Sequence, residues 1–291
     1  MSEARPLPAA ADAAIRRARA AGALCPLATA AEEIREGGLR FAVRILADRP
    51  PVAPAGRADA DPFADPDPAL VVGAVSDTHL CLLNKFPVLE RHLLFVTRSA
   101  AAQEAWLDAA DWAALAAGLA AIDGLGFYNA GPLAGASQRH KHLQLVPLPL
   151  GAAAPAGRAD APALPIAPWL DAAAPGPGPV ALPGAPFPSA FVRLAAGAWR
   201  DPSAIAARAD AALAAVGVRP CPGEDGPRQS APYNLLATRT WLLAVPRARA
   251  EVEGIPVNAL GFAGSFVVRD GAGLARLRAL GPLAVLRAAA G

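Results

Sequence analysis

The stretch that decides the fold is Gly131-Pro-Leu-Ala-Gly-Ala-Ser-Gln-Arg-His-Lys-His-Leu-Gln-Leu-Val-Pro147. Its second half alternates polar and apolar side chains, which is the pattern of a half-buried β-strand. Because side chains alternate between the two faces of a strand, His140, His142 and Gln144 share one face. The leucines beside them enter a core on the other face. Two imidazoles and an amide in a row therefore present a polar surface that needs a partner.

The loop before this strand is built from small residues. Gly135, Ala136 and Ser137 let backbone N–H groups approach an anion closely, and the side chains of Ser137 and Gln138 add further donors. The loop and the histidine strand together indicate a site for a phosphate group.

Three hypotheses about the histidines follow from these residues alone. In the first, the histidines lie on a half-exposed strand and face solvent. In the second, they bind a metal together with His79 or His92, since three nitrogen ligands and a water form a known zinc arrangement. In the third, an imidazole attacks phosphorus while Gln144 and the loop hold the phosphate oxygens.

Further segments resemble one known family when they are read with this motif. These segments are His79-Leu-Cys-Leu-Leu-Asn-Lys-Phe-Pro-Val, His92-Leu-Leu-Phe-Val-Thr-Arg, Tyr128-Asn129-x-Gly131, Pro232-Tyr-Asn-Leu-Leu-Ala-Thr-Arg-Thr-Trp, Val245-Pro-Arg247 and Asn258-Ala-Leu-Gly-Phe-Ala-Gly264. Their order and the motif resemble the ATP adenylyltransferases, also called diadenosine tetraphosphate (Ap4A) phosphorylases. This family forms part of the transferase branch of the histidine-triad superfamily. The resemblance covers most of 70–147 and 230–270.

The resemblance implies a nucleotidyltransferase in which His142 is the nucleophile. His142 would attack the α-phosphorus and carry a covalent adenylyl group, so that Ap4A and phosphate give ATP and ADP, or the reverse. Gln144 stands where the histidine-triad hydrolases carry a third histidine. An amide can bind phosphate but cannot relay a proton, which fits transfer to phosphate rather than hydrolysis.

The resemblance also implies a set of nucleotide- and phosphate-binding residues, with His140 in a supporting role. By position these residues are Asn84, Lys85, Asn129, Gly135, Ala136, Ser137, Gln138, Gln144, Asn234, Thr238 and Arg239. Mg²⁺ is expected only as the counter-ion of the polyphosphate, with no organic cofactor and no metal site in the protein. The expected partners are diadenosine polyphosphates, ATP, ADP and phosphate.

The element pattern predicts an α+β fold with mostly antiparallel sheets and flanking helices, because strands are often adjacent and no regular βαβ repeat occurs. The family adds a histidine-triad or uridylyltransferase-like architecture, and two related halves are possible. We predict a catalytic domain at 1–150, an Ala/Pro/Gly-rich connector at 151–188 and a C-terminal domain at 189–291. Strands are predicted at 70–75, 79–84, 92–97, 126–130, 141–147, 190–194, 233–237, 241–246 and 263–269, and helices near the N-terminus and at 108–122, 203–216 and 273–289.

Composition excludes several classes of function. The net charge is +2 without clusters of basic residues, which argues against nucleic-acid binding. No stretch is long and apolar enough to predict a membrane span, and no secretory signal is visible. Three separated cysteines predict neither a disulfide framework nor a zinc ribbon, so a cytoplasmic location is expected.

Other functions remain as alternatives at this point. They are a hexose-1-phosphate uridylyltransferase-like transferase, a dinucleotide hydrolase and a non-catalytic nucleotide sensor. The first usually carries Pro between the two histidines and often Cys-x-x-C, whereas this chain has Lys141 there and no such cysteine pair.

Overall fold

The secondary structure comes from a computed structural model, which describes residues 6–47, 61–150, 163–176 and 178–291. The helices within these ranges are α1 (Leu7–Ala20), α2 (Ala109–Ala121), α3 (Ala167–Ala172), α4 (Pro202–Ala215), α5 (Ala259–Phe262), α6 (Gly271–Leu280) and α7 (Pro282–Ala290). The strands are β1 (Thr29–Glu36), β2 (Leu39–Leu46), β3 (Val71–Ala74), β4 (His79–Leu83), β5 (Leu93–Thr97), β6 (Gly124–Ala130), β7 (His142–Pro147), β8 (Ala190–Arg193), β9 (Pro220–Cys221), β10 (Arg228–Gln229), β11 (Tyr233–Ala237), β12 (Trp241–Pro246), β13 (Glu251–Val252), β14 (Ile255–Pro256) and β15 (Ser265–Val268).

An eight-stranded antiparallel sheet carries the histidine strand near its centre. Its order is β3-β4-β5-β7-β6-β11-β12-β8, and every neighbouring pair is antiparallel. A second sheet has the order β1-β2-β15, in which β15 runs parallel to β2. The predicted α+β class with mostly antiparallel sheets is therefore confirmed.

The large sheet is built from two similar halves. The order β5-α2-β6-β7 is repeated as β8-α4-β11-β12, and the halves join through the antiparallel pair β6–β11. Asn129 lies opposite Asn234 in this pair, so the two Tyr-Asn dipeptides of the chain face each other. All four histidines precede residue 143, so only the first half carries them.

The two faces of the large sheet have different coverings. Helices α1, α2 and α4 share one apolar cluster with Leu143 and Leu145. The opposite face packs through Phe127 and Val146 against the β1-β2-β15 sheet and the C-terminal helices. Because Leu143 faces the first layer, its neighbours His142 and Gln144 face the second, as the alternation predicts.

The Ala/Pro/Gly-rich connector differs from its prediction where it can be compared. Residues 151–162 and 177 lie outside the described ranges. In the remainder, α3 forms and Leu164, Ile166 and Trp169 are buried in the core beneath the second sheet. A surface linker is the wrong description of 163–173, because large apolar residues recur there among the small ones and can be buried.

The predicted domain boundaries divide structures that are continuous. Strands β8, β11 and β12 from 189–291 complete the sheet begun within 1–150, and β15 completes the sheet begun by β1 and β2. The two predicted domains therefore share both main sheets.

Two elements differ from the prediction for local reasons. Strand β1 was not predicted, and the single C-terminal helix is two helices, because Gly281 has a φ of 83° and Pro282 follows it. The Pro- and Asp-rich composition of 47–69 predicts a loop, and this segment falls largely on residues outside the described ranges. Asp108 caps α2, accepting hydrogen bonds from two N–H groups of the first turn. None of the helices that the structure describes is long and apolar enough to cross a membrane.

Candidate active site

His142 is held with one ring nitrogen bonded and the other available. It opens β7 and is 4% exposed. Its Nδ1 lies 2.8 Å from the carbonyl oxygen of His140, and because a carbonyl only accepts, Nδ1 must carry the proton. Nε2 has no hydrogen bond to any residue the structure describes. Burial lowers the pKa of His142 to about 4, so the ring is neutral at pH 7 and Nε2 keeps its lone pair.

A chain of hydrogen bonds sets the orientation of Gln144. The N–H of Phe86 donates to Asn84 Oδ1 at 3.0 Å, so Asn84 Nδ2 donates to His92 Nδ1 at 3.1 Å. Burial lowers the pKa of His92 to about 4, and the neutral ring therefore carries its proton on Nε2. That proton is donated to Gln144 Oε1 at 2.9 Å. The amide nitrogen of Gln144 is left as a donor on the face that carries His142.

Both ring nitrogens of His140 form hydrogen bonds, one with Thr97 and one with Asp61. Its Nε2 lies 2.8 Å from the carbonyl oxygen of Thr97, and its Nδ1 lies 2.7 Å from Asp61 Oδ2. Burial alone would raise the pKa of Asp61, but hydrogen bonds from His140 and from the N–H of Phe63 outweigh it and lower that pKa. The Phe63 ring packs against both histidines, with centroid separations of 5.9 Å to His140 and 5.2 Å to His142.

The loop of small residues bonds part of its own backbone, since the N–H groups of Gly135 and Ala136 donate to the carbonyl oxygens of Pro132 and Gly131 at 2.9 and 3.2 Å. Gly135 adopts a φ of 90°, and a Cβ there would meet Asn258 Cβ at 2.8 Å and the Val257 carbonyl oxygen at 2.9 Å, so glycine is required on two counts. Ser137 is exposed, and Ala136 and Gln138 are half-buried. The side chains of Ser137 and Gln138 make no hydrogen bonds within the described part of the chain.

Asn129 and Asn234 position this loop through hydrogen bonds to each other and to its backbone. Asn234 Nδ2 donates to Asn129 Oδ1 and to the carbonyl oxygen of Ala134, both at 2.9 Å. Arg247 donates to Asn234 Oδ1 and to the same carbonyl of Ala134, at 2.5 and 3.0 Å. Burial lowers the pKa of Arg247 to about 10, which still leaves it charged at pH 7. The amide of Asn234 is therefore used to position the loop, and Arg247 is a member of this network that the sequence analysis did not single out.

Lys85, Thr238 and Arg239 lie away from this network. Lys85 is exposed on the β4–β5 turn beside Asn84. Thr238 and Arg239 follow β11, at the opposite end of that strand from Asn234. The guanidinium of Arg239 donates to the carbonyl oxygens of Leu119 and Ala120 at the end of α2, on the helix-covered face. The structure thus does not bring Arg239 to the histidine face, because Arg239 caps a helix on the other side of the sheet, and the hydroxyl of Thr238 lies 3.4 Å from that of Thr240.

The remaining candidate metal ligand, His79, also lies on the helix-covered face. Its Nε2 is 3.1 Å from Asp111 Oδ1, and Lys141 Nζ donates to the other oxygen of the same carboxylate. Lys141 therefore points away from His142, as strand alternation predicts. Among the residues that the structure describes, no group of three His, Cys, Asp or Glu side chains could hold a metal ion.

Residues 2–172 match the family model of the Ap4A phosphorylase N-terminal domain. The chain belongs to the Ap4A phosphorylase family. Residues 183–290 match the ATP adenylyltransferase C-terminal domain, so the two family models cover nearly the whole chain.

Two curated relatives of this Ap4A phosphorylase family member come from Saccharomyces cerevisiae. Diadenosine 5',5'''-P1,P4-tetraphosphate phosphorylase 2 is 39% identical over 103 residues, which cover 31% of this chain and 32% of the relative. Protein APA1 is 37% identical over 101 residues, with the same coverage of 31% and 32%. The chain thus matches about a third of the length of these relatives.

Solved structures of the yeast Ap4A phosphorylase Apa2 share the fold. One has a TM-score of 0.77 and 22% identity, covering 98% of this chain and 94% of the Apa2 chain. Apa2 in complex with Ap4A has a TM-score of 0.76 and 22% identity, covering 98% and 97%. This agreement over nearly the full length shows that the chain has the fold of Apa2.

Proposed function

We propose that this chain is an adenylyltransferase that converts Ap4A and inorganic phosphate into ATP and ADP, and runs the reverse reaction. The observation that carries the proposal is the arrangement at His142. A neutral imidazole keeps a free Nε2 lone pair on the strand face that also carries Gln144, and the Gln144 amide nitrogen and the side chains of Ser137 and Gln138 make no hydrogen bonds within the described residues. Family membership and the Apa2 fold support the same assignment.

In the first step, Nε2 of His142 attacks the α-phosphorus of Ap4A. A nitrogen–phosphorus bond forms, and the bond from that phosphorus to the bridging oxygen breaks, releasing ATP. Because the polyphosphate departs as a stable anion, the site need not supply a proton to it. Donors from Gln144 Nε2 and from Ser137 and Gln138 stabilise the charge on the phosphoryl oxygens.

In the second step, an oxygen of inorganic phosphate attacks the same phosphorus. The nitrogen–phosphorus bond breaks, ADP forms, and His142 regains its neutral ring. Dividing one transfer into two displacements is the general advantage of a covalent intermediate. Gln144 cannot act as a base toward water, whereas phosphate arrives as an anion and needs no activation. This difference supports phosphorolysis over hydrolysis.

The wider partners belong to the same proposal. Mg²⁺ would enter with the polyphosphate as part of the substrate. ATP, ADP and phosphate would be the other ligands. The three cysteines, Cys25, Cys81 and Cys221, are free, which fits a cytoplasmic setting where thiols remain reduced.

The test uses Ap4A labelled at the α-phosphorus and omits inorganic phosphate. We expect one acid-labile, base-stable adenylyl group per chain on His142, together with one equivalent of ATP. Adding phosphate should release the label as ADP. The His142→Ala variant should form no adduct and should lose phosphorolysis.

A matched control is His79→Asn, because His79 is also buried but contacts Asp111 on the opposite face. If this variant folds, it should still be labelled. Label on another residue, or full turnover by His142→Ala, would refute the mechanism. Release of AMP in water, with no stimulation by phosphate, would assign the chain to the hydrolases instead.

A further inference from the structure

Gln103 inserts its side chain between the two central strands beside the nucleophile. It lies in the segment between β5 and α2 and is 1% exposed. Its Oε1 accepts a hydrogen bond from the backbone N–H of His142 at 2.9 Å. Its Nε2 donates to the carbonyl oxygen of Asn129 at 2.9 Å and to that of His142 at 3.3 Å.

The amide of Gln103 replaces one rung of the sheet. Strands β6 and β7 pair directly as far as Phe127 opposite Gln144. If this register continued for two more residues, Asn129 would pair with His142, but the side-chain amide of Gln103 lies between their main chains. A primary amide offers the same donor and acceptor as a peptide group. It therefore satisfies the N–H and the carbonyl oxygen of His142, which would otherwise be buried without partners, whereas the carbonyl oxygen of Asn129 also accepts from the N–H of Gly131 at 3.0 Å.

Gln103 is itself anchored on both sides of its backbone. Its N–H donates to the carbonyl oxygen of Arg139 at 2.7 Å, and its carbonyl oxygen accepts from the hydroxyl of Tyr128 at 2.5 Å. The side chain that holds His142 is therefore attached to both the entry of β7 and the middle of β6. This anchoring gives it a fixed position from which to orient the main chain at His142.

We propose that Gln103 is a positioning residue for the nucleophile, an assignment that rests on the proposed function of His142. By fixing the peptide groups on both sides of His142, Gln103 keeps Nδ1–H directed at the carbonyl of His140. The lone pair of Nε2 is then held toward the phosphate side. If the main chain at His142 rotates, the hydrogen bond at Nδ1 weakens and the ring can adopt the other tautomer, in which Nε2 is protonated and cannot attack.

Two substitutions separate this role from simple packing. Gln103→Met keeps the length of the side chain but removes both polar atoms, leaving the main chain of His142 unpaired. Gln103→Glu keeps an acceptor for the N–H of His142 but places a carboxylate against two carbonyl oxygens. A negative charge bonded to the main chain of His142 would also raise the pKa of its ring and shift the acid limb of the pH profile to higher pH.

The chain offers a matched control in Gln229. Its Nε2 also donates to a carbonyl of β6, that of Ala130, at 2.9 Å, but it makes no hydrogen bond to His142. Gln229→Met therefore removes a comparable side-chain amide that is hydrogen-bonded to the same strand, β6. It should keep the adenylylation rate within about twofold of the wild type, since its loss leaves the main chain of His142 paired.

The first measurement is single-turnover release of ATP from Ap4A without phosphate, alongside the affinity for Ap4A and the melting temperature. We expect Gln103→Met to slow adenylylation about 10- to 100-fold, the loss associated with one or two unpaired buried polar groups. Its affinity for Ap4A should change less than about threefold, because the side chain of Gln103 is 1% exposed and bonds only to main-chain groups. An unchanged rate, or the same loss in Gln229→Met, would overturn the proposal.

The second measurement is independent of the substrate. The ¹⁵N shifts of the ring of His142 report which nitrogen carries the proton. We expect the Nδ1–H form in the wild type and in Gln229→Met, a mixture of tautomers in Gln103→Met, and a raised pKa in Gln103→Glu. If wild-type protein releases no ATP from Ap4A, the proposed function fails, while these shifts still decide the role of Gln103. If every variant gives the wild-type spectrum, the positioning role of Gln103 is refuted.

Discussion

At the scale of single residues, the site depends on which nitrogen of each polar ring or amide carries a proton. The N–H of Phe86 begins a chain of hydrogen bonds through Asn84 and His92 that ends on Gln144 Oε1. Each group in this chain has one assignment that satisfies its neighbours. The direction of the donor at Gln144 is therefore fixed by hydrogen bonds to residues from the β4–β5 turn.

Removing His92 from this hydrogen-bond chain should lower kcat, because the amide of Gln144 loses its fixed orientation. We expect His92→Phe, which keeps a ring against Phe127, to reduce the kcat of phosphorolysis about 10-fold, because the amide of Gln144 can then turn its oxygen toward the phosphate. A double-mutant cycle with Gln144→Met measures the coupling. The double variant should lose little more than Gln144→Met alone. Additive losses would show that His92 acts independently of Gln144.

The predictable and unpredictable residues of the site differ in the range of their contacts. The shared face of His142 and Gln144 follows from strand alternation, a period of two that needs no tertiary information. Gln103 reaches His142 across 39 positions and Arg247 reaches Ala134 across 113, so no local pattern marks either residue. Phe63 was missed because it lies in a Pro- and Asp-rich segment with no strand or helix period.

At the scale of elements, the loop between β6 and β7 depends on Gly135. Gly135→Ala should displace the loop, because the new Cβ would press on Asn258 and the carbonyl of Val257. We expect kcat to fall about 10-fold or more and the free energy of unfolding to fall by about 1–3 kcal/mol. Gly38→Ala is the control, since Gly38 has a φ of +78° but nothing within 4 Å of its Cβ position. The Gly38→Ala variant should be destabilised by only about 1 kcal/mol and should keep the activity of the wild type. Equal kcat values for Gly38→Ala and Gly135→Ala would contradict this role of the loop.

Elements with a clear period were predicted to within one or two residues, and the exceptions have physical causes. Strands β11 and β12 match 233–237 and 241–246. Strand β1 was missed because Thr29–Glu36 lies at the edge of the small sheet, is largely exposed and carries polar side chains on both faces. Its sequence therefore has no alternation to detect.

At the scale of the whole molecule, the histidine face is formed by the first half of the chain and partly covered by the second. The pairing of β6 with β11 joins residues more than a hundred positions apart, and β15 inserts beside β2. The sequence allowed two related halves but did not predict their union in one sheet, because hydrophobic patterns specify which face is buried and not which strand is the neighbour. The loop at Gly135 accordingly packs on residues of the C-terminal third.

Burial of two neutral histidines beneath this layer makes the stability of the whole molecule depend on pH. Burial lowers the pKa of both His142 and His92 to about 4, against about 6.5 in the unfolded chain. Between these values the unfolded state binds more protons, so acidification favours unfolding. Above pH 6.5 neither state protonates these rings, and the free energy of unfolding has its full value. As the pH falls toward 4, the free energy of unfolding decreases by up to about 3 kcal/mol for each histidine.

The expected result is a free energy of unfolding that is nearly constant from pH 7 to 8 and decreases steadily from pH 6.5 to about 4. Urea unfolding followed by circular dichroism at half-unit steps measures this slope. The aspartates with lowered pKa values, Asp61 and Asp111, act at lower pH, because their unfolded values lie near 4. The window above pH 4.5 therefore reports the histidines. A His92→Gln, His142→Asn double variant should show a much flatter slope there, and a slope equal to that of the wild type would mean that other groups carry the dependence.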